Sequence, residues 1–170
     1  MGERRTESAR TRKLIELSRR LAATGDLQSI LSTVIDALRD LLDADRATVF
    51  EFDPRTNELF TQVAHGIGDA DDAPSVIRIP MDAGIAGAAA TSKRIINIPD
   101  AYADERFNRS VDQRTGYRTR TILAIPLLDH DGVMVGVAQV LNRREGVFTD
   151  EDEMLAEGLA ANAAVAMKRG

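Results

Sequence analysis

Charged side chains are concentrated between Asn142 and Glu153, in the stretch NRREGVFTDEDE. Carboxylates at this density can bind a metal ion, exchange protons with a substrate or stabilise the start of a helix. Thr149, followed three residues later by Asp152, predicts a helix start, because the hydroxyl and the carboxylate can each accept a hydrogen bond from a free backbone N–H. A calcium loop would alternate acidic ligands around a central glycine, and TDEDEM has neither feature. The cluster therefore predicts a helix start and no metal site.

A second stretch with chemical potential is GIAG, from Gly84 to Gly87, at the start of a predicted helix. Small residues leave the backbone N–H groups of a helix start open to an anion such as a phosphate. The same residues could also form a tight turn packed by small side chains. The pattern alone leaves both interpretations open.

Several kinds of catalysis lack the residues that they need. The chain has no cysteine, which excludes disulfides, thiolate metal sites and cysteine nucleophiles. It also contains no GxSxG, HExxH or phosphate-binding P-loop motif, and GIGDAD lacks the third glycine of a dinucleotide fingerprint. We therefore expect no enzyme activity, no catalytic residue and no required cofactor.

Length and charge suggest one acidic domain. A chain of 170 residues that is 44% hydrophobic can bury one core. The net charge is −5, but the first twenty residues carry seven Arg or Lys against three Glu, which leaves −9 for residues 21–170. A basic arm could contact nucleic acid, yet no recognition motif accompanies it, so we expect a solvated helix face. No run of about 18 apolar residues predicts a membrane span, and we expect a cytoplasmic protein.

Apolar residues that recur every three or four positions predict helices. The strongest pattern begins after a potential N-cap, Asp26, and continues to Asp43, while Gly25 ends the helix before it. On this basis residues 1–25 form a basic N-terminal helix or linker, and residues 26–168 form the domain. The predicted helices are Arg12–Thr24, Asp26–Asp43, Asp82–Thr91 and Thr149–Lys168.

Short segments rich in β-branched residues predict strands between these helices. Asp129 to Gly132 is the strongest hairpin signal, because Asp-Gly accepts the positive φ of a tight turn. Pro126 suggests a sheet edge or a bulge. Without βαβ alternation, the class is α+β with an antiparallel sheet of about six strands. The predicted strands are Arg46–Asp53, Glu58–Ala64, Val76–Pro80, Arg94–Pro99, Thr121–Leu128 and Val133–Leu141.

The charged stretch resembles the NKFDE signature of GAF domains that bind cyclic nucleotides in phosphodiesterases and some adenylyl cyclases. Asn142 matches the asparagine, Arg143 replaces the lysine, Phe148 matches the phenylalanine, and Asp152 with Glu153 matches the acidic pair. In that family the signature acts as a latch near the pocket and makes no direct ligand contact. The resemblance implies an ion pair between Arg143 and Asp152 that ties the last strand to the last helix.

The likeness continues through Ile77 to Asp129 and covers Leu27 to Met167. It implies the GAF fold, with the terminal helices on one face of the sheet and a ligand pocket on the other. The polar segment Asp100–Thr121 would form a wall of this pocket. In similar domains, backbone amides at the helix start, here those of Ile85 and Ala86, hold a cyclic phosphate.

The resemblance also implies other ligand contacts. Asp112, Thr115 and Thr119 match wall positions that hydrogen-bond the base or ribose, and Thr48 and Gln139 match pocket-facing strand positions. Each could instead be an ordinary polar residue satisfied by its neighbours.

Relatives selective for guanine often carry an aromatic residue and an acid where this chain has Ala64 and His65. His65 can donate or accept at one nitrogen. The departure leaves the choice between cAMP and cGMP open. No motif beside His65 indicates haem.

The function that these residues suggest is a regulatory module that senses cAMP or cGMP and relays binding through its terminal helices to an output domain or partner. The resemblance implies a homodimer formed through the same helices. The alternative is a GAF-fold dimerisation module with a degenerate pocket or another small ligand.

Overall fold

The computed structural model describes residues 2–61 and 77–169, which form an α+β fold. Within these residues, six strands make one antiparallel sheet in the order β3-β2-β1-β6-β5-β4. The predicted fold class is confirmed. The strands are β1 (Ala44–Asp53), β2 (Glu58–Thr61), β3 (Ile77–Pro80), β4 (Ile96–Ile98), β5 (Ile122–Leu128) and β6 (Met134–Arg143).

The helices follow the predicted apolar patterns. Asp26 caps the second helix by accepting a hydrogen bond from the Ser29 N–H at 3.0 Å. That helix ends at Leu41, two residues before the predicted end, because Asp43 adopts a φ of +51°. The helices are α1 (Gly2–Ala23), α2 (Leu27–Leu41), α3 (Gly84–Ser92), α4 (Ser110–Thr115) and α5 (Asp150–Arg169), with a 3₁₀ turn at Ala101–Ala103.

Helices α1, α2 and α5 pack on one face of the sheet and form the larger core. Leu17 and Leu21 of α1 are buried in this core, so α1 packs in one body with α2, α5 and the sheet. The burial is the consequence of an apolar stripe that spans one helical face. Contacts from Arg10 to Asp152 and from Leu21 to Arg169 show that α1 and α5 run parallel.

The opposite face of the sheet carries a smaller core around α3. Alternation along the strands separates the two cores: Ile122 and Val137 face α3, whereas Leu123 and Ala138 face the three larger helices. Gly87 allows α3 to approach closely, since a Cβ there would lie 2.7 Å from the Met81 carbonyl oxygen. The small residues of the GIAG stretch thus have a packing role.

Pro126 lies within β5 and confirms the predicted irregularity of this strand. Pro126 pairs with Val137 in β6, but β4 pairs only with Ile122 to Ala124, so the missing N–H of Pro126 interrupts no ladder on the β4 side. A register shift follows directly, between Leu127 and Leu128.

Among the described helices, none combines the length and apolar character needed to cross a bilayer.

Candidate ligand-binding site

A cavity of about 240 Å³ lies on the α3 side of the sheet. Its size is close to the lower end of the range of roughly 300–1,000 Å³ for ligand pockets. Apolar side chains dominate its walls, with a few polar groups between them. The lining comes from β1 (Arg46, Phe50), β3 (Ile77, Ile79), the start of α3 (Ala83, Gly84, Ile85, Ala86), the 106–119 segment (Arg106, Phe107, Asn108, Asp112, Tyr117, Thr119) and β6 (Gln139, Leu141).

The start of α3 presents backbone N–H groups to the cavity. Ala83 stands at the N-cap in an extended conformation and provides no side-chain acceptor, while Gly84 begins the helix with a φ of +68°. The first-turn N–H groups of a helix have no intrahelical partner, and the helix dipole is positive there. This end of the cavity can therefore accept an anionic group.

Asp112 organises one wall of the cavity. Its buried carboxylate accepts hydrogen bonds from the Thr119 N–H at 2.7 Å, the Thr119 hydroxyl at 2.8 Å and the Tyr102 hydroxyl at 2.7 Å. The hydrogen bond to Asp112 is also the largest cause that raises the pKa of Tyr102. Because the Thr119 proton goes to Asp112, the lone pairs of the Thr119 oxygen remain as a potential acceptor for a ligand.

Arg46 and Tyr117 form a stacked pair that the sequence interpretation missed. The Arg46 guanidinium carbon lies 3.7 Å from the centroid of the Tyr117 ring, and both side chains line the cavity. The Tyr117 hydroxyl donates to Asp45 at 2.6 Å and accepts from Asn142 at 2.8 Å. Burial is the largest cause that raises the pKa of Tyr117, followed by Asp45. The period of β1 could have identified Arg46, which is two residues from Thr48.

Asn142 connects the end of β6 to the cavity wall. Its Oδ1 accepts hydrogen bonds from the Arg120 N–H at 2.6 Å and the Thr121 N–H at 3.1 Å. Its Nδ2 donates to the Tyr117 hydroxyl and to the Arg118 carbonyl at 2.9 Å. The residue adopts a φ of +59°, a conformation that asparagine tolerates better than most residues. One amide side chain thus holds the 117–121 backbone against β6.

Arg143 connects β6 to α5. Its Nε donates to Asp152 Oδ2 at 2.9 Å, and its backbone N–H donates to the Thr121 hydroxyl at 3.0 Å. Thr149 and Asp152 also form the reciprocal capping arrangement, with distances of 2.8 and 3.1 Å. The ion pair implied by the resemblance is thus formed in this structure, around a carboxylate that is 0% exposed.

Asp152 has a second cationic partner that sequence analysis missed. Arg10 of α1 donates through Nη2 to Asp152 Oδ1 at 2.5 Å and reaches Glu151 at 3.4 Å through Nη1. The signature residue Phe148 is buried in the larger core, and its carbonyl accepts from Asn97 at 2.9 Å. The same amide of Asn97 donates to Glu153 at 3.1 Å.

The structure brings five of the proposed ligand-contact residues to the cavity: Ile85, Ala86, Asp112, Thr119 and Gln139.

Two other proposed residues lie outside the lining. Thr48 is buried on the same face of β1, between Arg46 and Phe50. The hydroxyl of Thr115 accepts a hydrogen bond from the Tyr117 N–H at 3.2 Å and so stabilises the wall without lining the cavity. His65 and Ala64 lie outside the described residues.

The described residues contain no cluster of three or more His, Asp or Glu side chains able to hold a metal ion.

Comparison with known proteins identifies the family. The family model "GAF domain" matches residues 26–167. The chain is 38% identical over 134 residues to "Probable 3',5'-cyclic phosphodiesterase pde-5" of Caenorhabditis elegans, covering 75% of this chain. It is 33% identical over 152 residues to "Dual 3',5'-cyclic-AMP and -GMP phosphodiesterase 11" of Drosophila melanogaster, covering 82% of this chain. The chain spans only 18% and 10% of the lengths of these two relatives.

Solved structures show the same fold at low sequence identity. The GAF domain of a phosphoenolpyruvate-protein phosphotransferase from Coxiella burnetii superposes with a TM-score of 0.83 at 19% identity, covering 95% of this chain and 94% of that one. The free methionine-R-sulfoxide reductase of Neisseria meningitidis gives a TM-score of 0.76 at 17% identity, covering 96% and 91%. The resemblance in the sequence is confirmed by the family match, and the chain belongs to the GAF domain family.

Proposed function

We propose that this GAF domain is a regulatory module that binds a purine cyclic nucleotide, cAMP or cGMP, in the 240 Å³ cavity. The observation that carries the proposal is the joining of an uncapped helix start to a polar wall within one largely apolar cavity. A cyclic nucleotide has matching parts, namely an anionic phosphate and a flat base with polar edges. The names of the two relatives, both cyclic-nucleotide phosphodiesterases, support this ligand class.

The cavity offers each part of the ligand a suitable partner. The N–H groups of Ile85 and Ala86 suit the phosphate, because the helix dipole favours an anion there. Thr119 offers an oxygen acceptor, Gln139 offers both a donor and an acceptor, and Arg46 offers donors. A base edge can therefore be read by side chains from β1, β6 and the wall.

A series of hydrogen bonds, joined by short stretches of backbone, offers a route from the cavity to the terminal helices. Thr119 in the wall is two residues from Thr121, which is bonded to both Asn142 and Arg143. Arg143 contacts Asp152 at the start of α5, and Asp152 contacts Arg10 of α1. A ligand shifts these helices only if it binds two arrangements of the wall with different affinity.

The outer faces of α1 and α5 suit a second copy of the chain. Ile15 of α1 and Met154 and Val165 of α5 are large apolar side chains that are 40% to 68% exposed on helices that run parallel. Pairing two such faces would bury them in a bundle of four helices. We therefore propose a homodimer in which ligand binding is relayed along these helices.

Thermal unfolding with and without cAMP and cGMP tests the proposal. Free ligand at one hundred times Kd adds about 2.7 kcal/mol to stability, which corresponds to roughly 5 to 10 °C for a chain of this length. We expect one nucleotide to raise Tm, Thr119→Ala to abolish the shift and Arg143→Ala to weaken it.

Thr33→Ala is the matched control, because the Thr33 hydroxyl donates to the Ser29 carbonyl within α2 and lies outside the cavity lining. It should leave the ligand-induced shift intact. If neither nucleotide shifts Tm of well-folded protein freed of bound ligand, the cyclic-nucleotide proposal fails. A dimerisation module or a different small ligand then becomes the better explanation, and a monomer in sedimentation of the same sample would exclude the dimerisation module.

A further inference from the structure

The cavity contains two cationic side chains in different surroundings. Arg46 is stacked on Tyr117 beside the sheet. Arg106 belongs to the wall, and its carbonyl oxygen lies 3.8 Å from the point where a Cβ on Gly84 would be. Arg106 is therefore a neighbour of the α3 start, the end of the cavity that suits an anion.

Arg106 is held by one nearby carboxylate. Its Nε and Nη2 donate to the two oxygens of Asp104 at 3.0 and 2.8 Å, and its backbone N–H donates to the same side chain at 2.9 Å. This pairing holds the pKa of Asp104 below its usual range. The Arg106 side chain is 45% exposed, and ion pairs at such sites contribute little to stability. A bound anion can therefore compete with Asp104 for this guanidinium.

We propose that Arg106 is the side chain that recognises the anionic charge of the ligand, exchanging Asp104 for a phosphate oxygen pair when the cavity fills. The inference rests on the proposed cyclic-nucleotide function. A guanidinium binds phosphate with the same bidentate geometry that it uses with a carboxylate. The exchange therefore needs little reorientation of the N–H donors.

The negative charge of the protein explains why such a residue is needed, since the net charge of the whole chain is −5. Residues 21–170 carry a net charge of −9, which disfavours the approach of an anion. Asp112, the acid within the cavity lining, is already occupied by three hydrogen-bond donors. A half-exposed cation in the cavity lining compensates locally for the repulsion and selects a cyclic nucleotide over its uncharged nucleoside.

The chain contains a closely matched control pair. Asp53 and Arg55 have the same Asp-x-Arg spacing, and the Arg55 N–H donates to Asp53 at 3.0 Å as the Arg106 N–H does to Asp104. This pair lies at the β1–β2 turn and outside the cavity lining. Arg55→Gln thus removes the same formal charge, at a more exposed position, outside the proposed site.

Calorimetric titration of wild type, R106Q and R55Q, with the preferred cyclic nucleotide and with its nucleoside, tests the inference. We expect R106Q to lower the affinity for the cyclic nucleotide about tenfold or more, because one charged hydrogen bond is lost. Nucleoside binding should stay within about twofold of wild type, and R55Q should match wild type for both. D104N should raise the affinity for the cyclic nucleotide, because the Arg106 guanidinium no longer pairs with a carboxylate.

Titration at low and high salt gives a second measure when nucleoside binding is too weak to detect. R106Q should bind the cyclic nucleotide with a smaller salt dependence than wild type and R55Q, because one direct charge contact is gone. Equal affinities and equal salt dependence in R106Q and wild type would overturn the role of Arg106 and leave the proposed function standing. Equal weakening of nucleotide and nucleoside would show a structural role instead. No nucleotide binding by wild type would overturn both proposals.

Discussion

Two buried carboxylates on opposite sides of the sheet are neutralised in different ways. Asp112, in the cavity wall, accepts hydrogen bonds from one N–H group and two hydroxyls, all of them uncharged donors. Asp152, at the start of α5, is bound by the guanidiniums of Arg10 and Arg143 and by one N–H group. The first is held by neutral donors and the second by opposite charge.

The partners of the two groups also differ in origin. Those of Asp112 lie within ten residues of it, so they stabilise one segment, the cavity wall. Those of Asp152 come from α1 and β6, at separations of 142 and 9 residues. The comparison suggests that Asp112 sets the local shape of the wall, whereas Asp152 joins three elements and controls how the terminal helices pack.

Removing the charge of Asp152 should have the largest effect. Asp152→Asn is expected to lower the free energy of unfolding by about 3 kcal/mol, the low end of the range for broken buried pairs. The low end applies because the two arginine side chains left behind are 19% and 23% exposed and can be partly hydrated. Urea unfolding measures the change. Glu151→Gln, which removes the more exposed partner of Arg10, is the control and should cost about 0–1 kcal/mol.

Removing the charge of Asp112 should cost less and act on the wall. Asp112→Asn turns one acceptor oxygen into an NH₂ group that faces donors, with an expected loss of about 1–3 kcal/mol. The ligand-induced rise in Tm should shrink as well, whereas Asp152→Asn should preserve more of it. Asp100→Asn, in the same segment at an exposed position without a side-chain cap bond, is the control. An unchanged ligand shift in Asp112→Asn would contradict the assigned role of the wall.

Asn142 lies between the two carboxylates. Two substitutions at this position distinguish the cost of its backbone conformation from the cost of losing its hydrogen bonds. Asn142→Gly and Asn142→Ala both lose the acceptor for Arg120 and Thr121. Only alanine is strained at a φ of +59°, so Asn142→Ala should be less stable than Asn142→Gly by about 1 kcal/mol. Parallel urea titrations measure this difference. Equal stabilities would mean that the backbone relaxes out of the left-handed region.

A third buried carboxylate, Asp129, should give the smallest effect and a distinct pH signature. Lys168 is the largest cause that lowers its pKa to about 2 from 3.8, followed by the Val133 N–H. A folded-state pKa below the unfolded value stabilises the protein above about pH 4, and this contribution is lost as pH falls toward 2. Lys168 is 59% exposed, which limits the contribution.

We therefore expect the stability difference between wild type and Asp129→Asn to shrink between pH 5 and pH 2. Lys168→Gln should move the loss to higher pH, because the carboxyl is then protonated more easily. Urea unfolding across this range measures both. A difference independent of pH would contradict a stabilising role for the ionised Asp129 carboxylate.

Much of the fold could be predicted because its signals are local. The apolar repeat of α2, the Asp-Gly hairpin between β5 and β6 and the Thr149–Asp152 capping pair each depend on residues a few positions apart. Hydrogen bonds at such separations form wherever the local backbone conformation allows. The resemblance supplied the candidate cavity residues, of which Thr48 and Thr115 lie beside the cavity and outside its lining.

The cationic residues of the site were not predicted. Arg46 and Arg106 read as ordinary charged positions in the sequence, and only the packing of β1 and the wall against α3 brings both to one cavity. Arg10 read as part of a solvated helix face, but the burial of Leu17 and Leu21 sets α1 beside α5 and directs Arg10 toward Asp152.

By itself, the sequence determined the element types, the helix caps and the exclusion of cysteine chemistry, because these depend on residue identity and short spacing. The tertiary structure decided which charges meet. Arg10 and Asp152 are 142 residues apart and form an ion pair only because two apolar helix faces are buried against the same sheet. Burial of apolar surface is non-directional and fixes which elements pack, and the polar pairs are those that this packing brings within hydrogen-bonding distance.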